Sequence, residues 1–238
     1  NCTDMLRAIF GGNGSWVSQQ CQQITKAHAD KVSVVRHVAT PPDEWPPELF
    51  SEPIDLFLGC FYDYILPTDM LSRFRIGAIN LHPAYLPWNR GRHSTFWGIM
   101  DGTPLGSSIH WMDAKLDHGP IIGRREFATD EIMPASKAYH LACMGCVDLY
   151  EEHLPSILNG RVNPTRDERD DVMRVGSFHN ASEIKDATFL PWESLIGIPE
   201  LIRLIRATSF GQHGFYTLGP GRRVYKIKGS VEIGDEWR

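Results

Sequence analysis

Short apolar runs alternate with helix-length stretches through the first two-thirds of the chain, and this rhythm narrows the possible folds more than any other feature. Met5-Leu6-Arg7-Ala8-Ile9-Phe10 reads as a strand stopped by Gly11-Gly12-Asn13-Gly14. Ser15 follows where a helix needs an N-cap, since its hydroxyl can accept from an otherwise unpaired backbone N–H. The pattern predicts that helix over Trp16 to Ala29. Val32-Ser33-Val34-Val35 and Ile54-Asp55-Leu56-Phe57-Leu58-Gly59-Cys60 read as the next two strands. Between them Pro41, Pro42, Pro46 and Pro47 remove backbone donors, which predicts a loop that is neither helix nor central strand. Pro67 opens a helix to about Phe74. Gly77-Ala78-Ile79-Asn80-Leu81 is a fourth strand running into His82-Pro83. A β-α-β-α-β succession argues for an α/β fold with a mainly parallel, helix-flanked sheet, whose ligand crevice lies beyond the carboxyl ends of the strands. Asn80 and His82 fall at such an end.

Further along, the pattern predicts a helix over Ser94 to Met100, strands at Gly106 to Met112 and Ile121 to Phe127, and a long helix from Pro134 to Leu158. Arg166 to Asp171 is charged and poor in apolar residues, which marks a linker. It divides a catalytic domain over residues 1–165 from a small α+β extension over 166–238, where turn-punctuated alternation runs through Gly221 to Lys228.

At 238 residues the chain is long enough for one full α/β core and a small appendage. A net charge of -5 leaves no basic footprint, which disfavours a nucleic-acid partner. No apolar run reaches the roughly 18 residues of a membrane span, so no membrane partner is expected. Asn1-Cys2-Thr3-Asp4 lacks the basic and apolar regions of a secretory signal. The absence of an initiator Met is compatible with a trimmed start. Cysteines are sparse, at Cys2, Cys21, Cys60, Cys143 and Cys146, which suits a reducing cytoplasm. Cys143 and Cys146 match C-x-x-C without a second pair, and read as core thiols rather than a metal or redox site. His110 and His118 lack the helical H-x-x-x-H spacing of a zinc hydrolase, so no metal is expected, and His110 is expected to face a neighbouring strand.

The chemistry concentrates in Asn80-Leu81-His82-Pro83 and Asp117-His118-Gly119-Pro120-Ile121. An amide can hold a carbonyl oxygen, an imidazole can move a proton, and a carboxylate can orient the imidazole, which together suffice for acyl transfer without a metal. Singly, Asn80 is also explained as a strand-end turn residue, His82 as a core histidine and Asp117 as a turn former. In this order and spacing they favour catalysis.

The motifs N-x-H-P at Asn80 to Pro83, L-P-x-x-R-G at Leu86 to Gly91 and D-x-G-x-I at Asp117 to Ile121 resemble those of the folate-dependent formyltransferases, over about residues 5 to 165. The resemblance implies a Rossmann-like fold and transfer of a formyl group from N10-formyltetrahydrofolate to a primary amine. It implies that Asn80 donates to the oxyanion formed when the amine attacks. His82 would bond the same oxygen or take the amine's proton, and Asp117 would orient His82 and relay a proton. Phe61, Tyr62, Asp63, Tyr64 and Ile65, with Asp113 and Leu116 opposite, match the positions that hold the pterin. On the acceptor side the candidates are Arg90, through a phosphate, with Trp88, Asn13 and Trp16.

Leu204 to Phe210, Gly214 to Tyr216 and Arg223 to Ile227 resemble the short C-terminal extension of the nucleotide-sugar N-formyltransferases. That implies a nucleotide-linked amino-sugar acceptor such as dTDP-4-amino-4,6-dideoxyglucose, in the making of bacterial surface glycans such as lipopolysaccharide O-antigen. A homodimer is compatible with this reading. Ala84 and His93-Ser94-Thr95 depart from the sugar group's usual residues. Glycinamide ribonucleotide as the acceptor, or hydrolysis of formyltetrahydrofolate, are the alternatives.

Overall fold

The computed structural model describes residues 5–162 and 175–234. Its centre is a six-stranded sheet built from β1 (Leu6–Gly12), β2 (Val32–Val38), β3 (Ile54–Cys60), β4 (Phe74–His82), β6 (Gly106–Trp111) and β7 (Ile121–Glu126). The strand order is β2-β1-β3-β4-β6-β7. The first four are parallel, while β6 runs antiparallel to β4 and β7 antiparallel to β6. Helices α1 (Trp16–Lys26), α2 (Thr68–Leu71), α3 (Ser94–Asp101) and α4 (Ala135–Leu158) are interleaved with these strands.

β3 is buried at all seven positions, as a strand between two parallel neighbours must be when both sheet faces are covered. Leu56, Leu58 and Cys60 join one core layer with residues of α1 and α4, such as Val17, Cys21, Tyr150 and Leu154. Phe57 turns the other way, against Trp45, Leu66 and Phe74. Burying each large side chain contributes about 1.5–3 kcal/mol against leaving it exposed.

The mainly parallel, helix-flanked sheet is as the sequence implies; several boundaries differ. β1 runs on through Gly11 and Gly12, because both are paired to β3 and the ladder overrides glycine's weak strand preference. Pro42–Glu44 and Pro47–Phe50 form short 3-10 turns with proline at the first helical position, where its missing N–H is no loss. The helix begun at Pro67 stops at Leu71, and Phe74 already opens β4. Ser15 caps α1 as expected, its hydroxyl accepting from Ser18 N.

Cys21, Cys60, Cys143 and Cys146 are free and buried. Burial pushes the Cys143 thiol up to about 11, and those of Cys60 and Cys146 well above the ordinary range. Cys2, the Arg166 to Asp171 linker and the 165/166 boundary lie outside the described residues. No helix among the described residues is long and apolar enough to cross a membrane.

Beyond that boundary come β8 (Phe178–His179), α5 (Glu183–Ala187), α6 (Ile198–Thr208) and an antiparallel hairpin of β9 (Phe215–Leu218) and β10 (Val224–Ile227). These residues close onto the first part of the chain. Ala207 of α6 packs with Phe96, Trp97 and Ile99 of α3. β8 pairs in parallel with β5 (Arg90–Gly91), a two-residue strand eight positions past His82.

Candidate active site

Asn80 and His82 sit two apart at the carboxyl end of β4, so their side chains share one face of the sheet. The antiparallel register sets His110 directly opposite Asn80, and Ser108 opposite His82. Asp117 arrives on the turn after β6, in a left-handed conformation with φ 47°. Gly119 lets that turn lie against the strand, since a side chain there would collide with the carbonyl oxygen of Trp111.

The side chains of Asn80, His82 and His110 meet around the Asp117 carboxylate. Asp117 Oδ1 accepts from Asn80 Nδ2 at 3.3 Å, and Oδ2 accepts from the Gly91 backbone N–H at 3.0 Å. His82 Nδ1 lies 3.6 Å from Oδ2, and His110 Nε2 lies 3.6 Å from Oδ1. Burial pushes the carboxyl of Asp117 up, but the charge of His82 and the hydrogen bond and charge of His110, each in its protonated form, together with the Gly91 amide, outweigh it. The net effect holds the group well below the usual carboxylate range, so Asp117 is an anion at neutral pH.

The hydrogen-bond partners also assign the imidazoles. His82 Nε2 lies 3.0 Å from the carbonyl oxygen of Asn89, which can only accept. Nε2 therefore carries a proton, and Nδ1 is the ring nitrogen left for chemistry. His110 Nδ1 donates to its neighbour's carbonyl at Trp111 across 2.8 Å, which leaves Nε2 to accept from Asn80 Nδ2 at 3.3 Å. The Asn80 amide thus shares its hydrogens between two long contacts, to His110 and to Asp117, and either can be redirected to a bound oxygen.

These groups lie in the wall of a cleft of about 980 Å³. Phe61, Tyr62, Asp63, Tyr64 and Ile65 line it after β3, with Asp113 and Leu116 also in its wall. Arg92, His93, Thr95 and Phe96 contribute next, and Lys185, Thr188, Phe210, His213 and Tyr216 bring the C-terminal residues into the same wall. Burial first, then Arg92 and His213, lower the pKa of His93. His118 turns to Asp113, Nδ1 to Oδ2 at 2.8 Å, and not to Asp117. Among the described residues no three His, Cys, Asp or Glu side chains are grouped to hold a metal ion.

Asn80, His82 and Asp117 are therefore together, and all seven residues expected on the pterin side line the cleft. The four acceptor-side residues do not line it. The Arg90 guanidinium lies over the Phe178 ring at 5.8 Å, and Trp88 sits half-buried in the turn begun at Tyr85. Trp16 stands against His140, and Asn13 Nδ2 donates to Asp63 Oδ1 at 3.3 Å. Arg92 is the nearby arginine that reaches the cleft. His110 faces the neighbouring strand β4, as expected, and is also a member of the site. Its signal in the sequence was an imidazole between the apolar Ile109 and Trp111, while its register position opposite Asn80 is visible only in the folded sheet.

Residues 40–139 match the family model described as formyl transferase. A dTDP-4-amino-4,6-dideoxyglucose formyltransferase of Mycobacterium tuberculosis is 33% identical over 105 residues, 42% of this chain and 45% of that protein. Methionyl-tRNA formyltransferases are also among the similar proteins, and the chain spans less than half the length of these curated relatives. A sugar N-formyltransferase structure from Shewanella sp. FDAARGOS_354 superposes with a TM-score of 0.79 at 21% identity, over 97% of this chain and 100% of that one. The formyltransferase PseJ of Anoxybacillus kamchatkensis, solved with UDP-4,6-dideoxy-4-formamido-L-AltNAc and tetrahydrofolate, superposes at 0.62 with 26% identity, over 76% and 88%.

Proposed function

We propose, from the premise that residues 40–139 give this chain a formyl transferase domain, that it moves a formyl group from N10-formyltetrahydrofolate to the amine of a nucleotide-linked amino-sugar. The observation that carries this reading is the meeting of Asn80, His82 and His110 on the Asp117 carboxylate in the wall of a cleft large enough for two substrates.

The cleft suits a pterin. Tyr64, Ile65 and Leu116, exposed by 42%, 71% and 40%, offer apolar surface that a flat heteroaromatic ring would cover. When bound, N10-formyltetrahydrofolate supplies the formyl group. Asn80 then turns an amide N–H toward the formyl oxygen and stabilises the negative charge that develops there, a contribution typically worth ~10²-fold or more. His82, with Nε2 committed to Asn89, accepts the amine's proton at Nδ1 and passes it to N10 as the bond from the formyl carbon to N10 breaks and tetrahydrofolate leaves. Asp117 faces that nitrogen and holds the resulting charge, directly or through water. His110 keeps Asn80 in register beside the carboxylate.

A dTDP-4-amino-4,6-dideoxyhexose is the acceptor that the C-terminal motifs and the names of the similar proteins support best. The product would serve a bacterial surface glycan, with the reaction in the cytoplasm. Incubating the protein with N10-formyltetrahydrofolate and a panel of nucleotide amino-sugars, glycinamide ribonucleotide and methionyl-tRNA tests it. A mass gain of one formyl group on a nucleotide sugar is expected. Formylation of either other acceptor, or formate released with no amine present, would replace this reading.

A further inference from the structure

We infer that Ser177, nearly a hundred residues beyond the catalytic strand, is a positioning residue that sets the working tautomer of His82 through Asn89. The inference rests on the proposed role of His82. His82 Nε2 is fixed by the carbonyl oxygen of Asn89 at 3.0 Å, so the placement of Asn89 decides which imidazole nitrogen is free. Asn89 is fully buried and left-handed, with φ 57°, a conformation that its surroundings have to hold.

The surroundings are specific. The Asn89 N–H donates to Ser177 Oγ at 2.8 Å, and Ser177 Oγ donates to Asn89 Oδ1 at 3.3 Å. On the other side Asn89 Nδ2 donates to Thr103 Oγ1 at 2.8 Å. The next residue continues the attachment, with Arg90 N donating to Ser177 O at 3.1 Å ahead of the β5–β8 pairing. Gly91 then donates its N–H to Asp117 Oδ2 at 3.0 Å. A side chain at Gly91 would collide with the carbonyl oxygen of His179, so this glycine is what allows the two strands to close. Residues 89–91 thus touch both His82 and Asp117 from one side and are held by residues 177–179 from the other. A single serine hydroxyl, acting as acceptor and donor at once, pins the end of this tripeptide that faces His82.

Ser177→Ala removes that hydroxyl without adding bulk. We expect kcat to fall about 10- to 100-fold, the size of effect that a small misplacement of a catalytic group produces, with KM for both substrates within about twofold. The acid side of the pH–rate profile should move, and imidazole ¹⁵N NMR should show His82 losing its single Nε2–H tautomer. Ser177→Thr keeps the hydroxyl and should restore both readouts. If Ser177→Ala does not fold, Thr103→Val loosens the other side of Asn89 and reads the same support. A role confined to stability would lower the melting temperature and leave profile and tautomer unchanged. Wild-type kcat, pH profile and tautomer in Ser177→Ala would overturn the inference. His82→Ala separates the two claims: full turnover in it removes His82 from the reaction, whereas inactive His82→Ala beside fully active Ser177→Ala rejects only the role of Ser177.

Discussion

The imidazole of His179 lies flat on the indole of Trp97, with ring centroids 3.9 Å apart and planes 5° from parallel. Its two nitrogens reach Asp101 Oδ2 at 3.0 Å and Glu183 Oε2 at 3.1 Å. The ring therefore joins α3, β8 and α5. His179→Ala removes the stack and both polar contacts, and aromatic pairing alone is worth about 0.5–1.5 kcal/mol. We expect a melting temperature lower by about 2–4 °C, together with faster hydrogen exchange over residues 177–187. Unchanged exchange there would show that the rest of the interface holds these residues without the ring.

Asn80→Ala, His82→Ala and Asp117→Asn should each lower kcat by about 10²- to 10⁴-fold, while the dissociation constant of N10-formyltetrahydrofolate changes little. Rapid-mix turnover and equilibrium binding separate the two effects. The amine must lose a proton, so the rate of the wild type should fall on acidification. Asp117 stays ionised well below neutrality and cannot be the origin of such an acid limb. A rate that does not fall on acidification would argue against a side-chain base.

Asp117 also sets a direction for acid stability. Its pKa in the fold is depressed below that of an unfolded aspartate, about 3.9. Its contribution is therefore complete above that value and is lost as the pH falls below it, where the unfolded chain binds the proton more readily. Denaturant unfolding between pH 6 and pH 2 should show a steeper acid loss in the wild type than in Asp117→Asn.

Ile65→Asp places a charge on an exposed position of the cleft wall, where an apolar surface faces the proposed pterin. KM for the formyl donor should rise about tenfold or more, with the melting temperature within a degree or two, because an exposed position contributes little to folding. Equal losses for donor and acceptor would move the pterin elsewhere in the cleft.

The buried thiols predict both reactivity and an alkaline limit. Cys143, at about 11, and the still higher Cys60 and Cys146 stay protonated at pH 8, so iodoacetamide should leave them unmodified in the folded protein. A thiol raised above its unfolded value of about 8.5 stabilises the fold fully below that pH and loses its contribution as the pH rises toward 11. Mass spectrometry after alkylation and alkaline melting curves check the two halves of this expectation.

Much of the site was legible because its parts are local. β3 needed only the apolar run from Leu56 to Cys60, and Ser15 only the hydroxyl that caps α1. Asn80 and His82 were visible as polar residues at the end of an apolar strand. What escaped was set by partners distant in sequence. The antiparallel entry of β6 has no signature in Gly106 to Trp111 themselves, which are buried throughout and would suit either direction. Without that direction His110 could not be set opposite Asn80. Asn89 looks like an ordinary turn residue until Ser177, 88 positions away, is found against it. Arg90 carried the charge that suggested a phosphate, yet its guanidinium lies over Phe178 of β8, and Arg92, two positions on, lines the cleft.

The pairing of Asn80 with His110 has a consequence for how this chain can tolerate changes in length. Side chains alternate along a strand, so an insertion of one residue within Gly106 to Trp111 would carry His110 to the far face of the sheet and bring an apolar neighbour in its place. The same insertion near Gly102, an exposed left-handed position outside the ladder, would leave every opposed pair intact. Variation in length should therefore collect in the connection between the two strands, with the strands themselves held to a fixed count of residues.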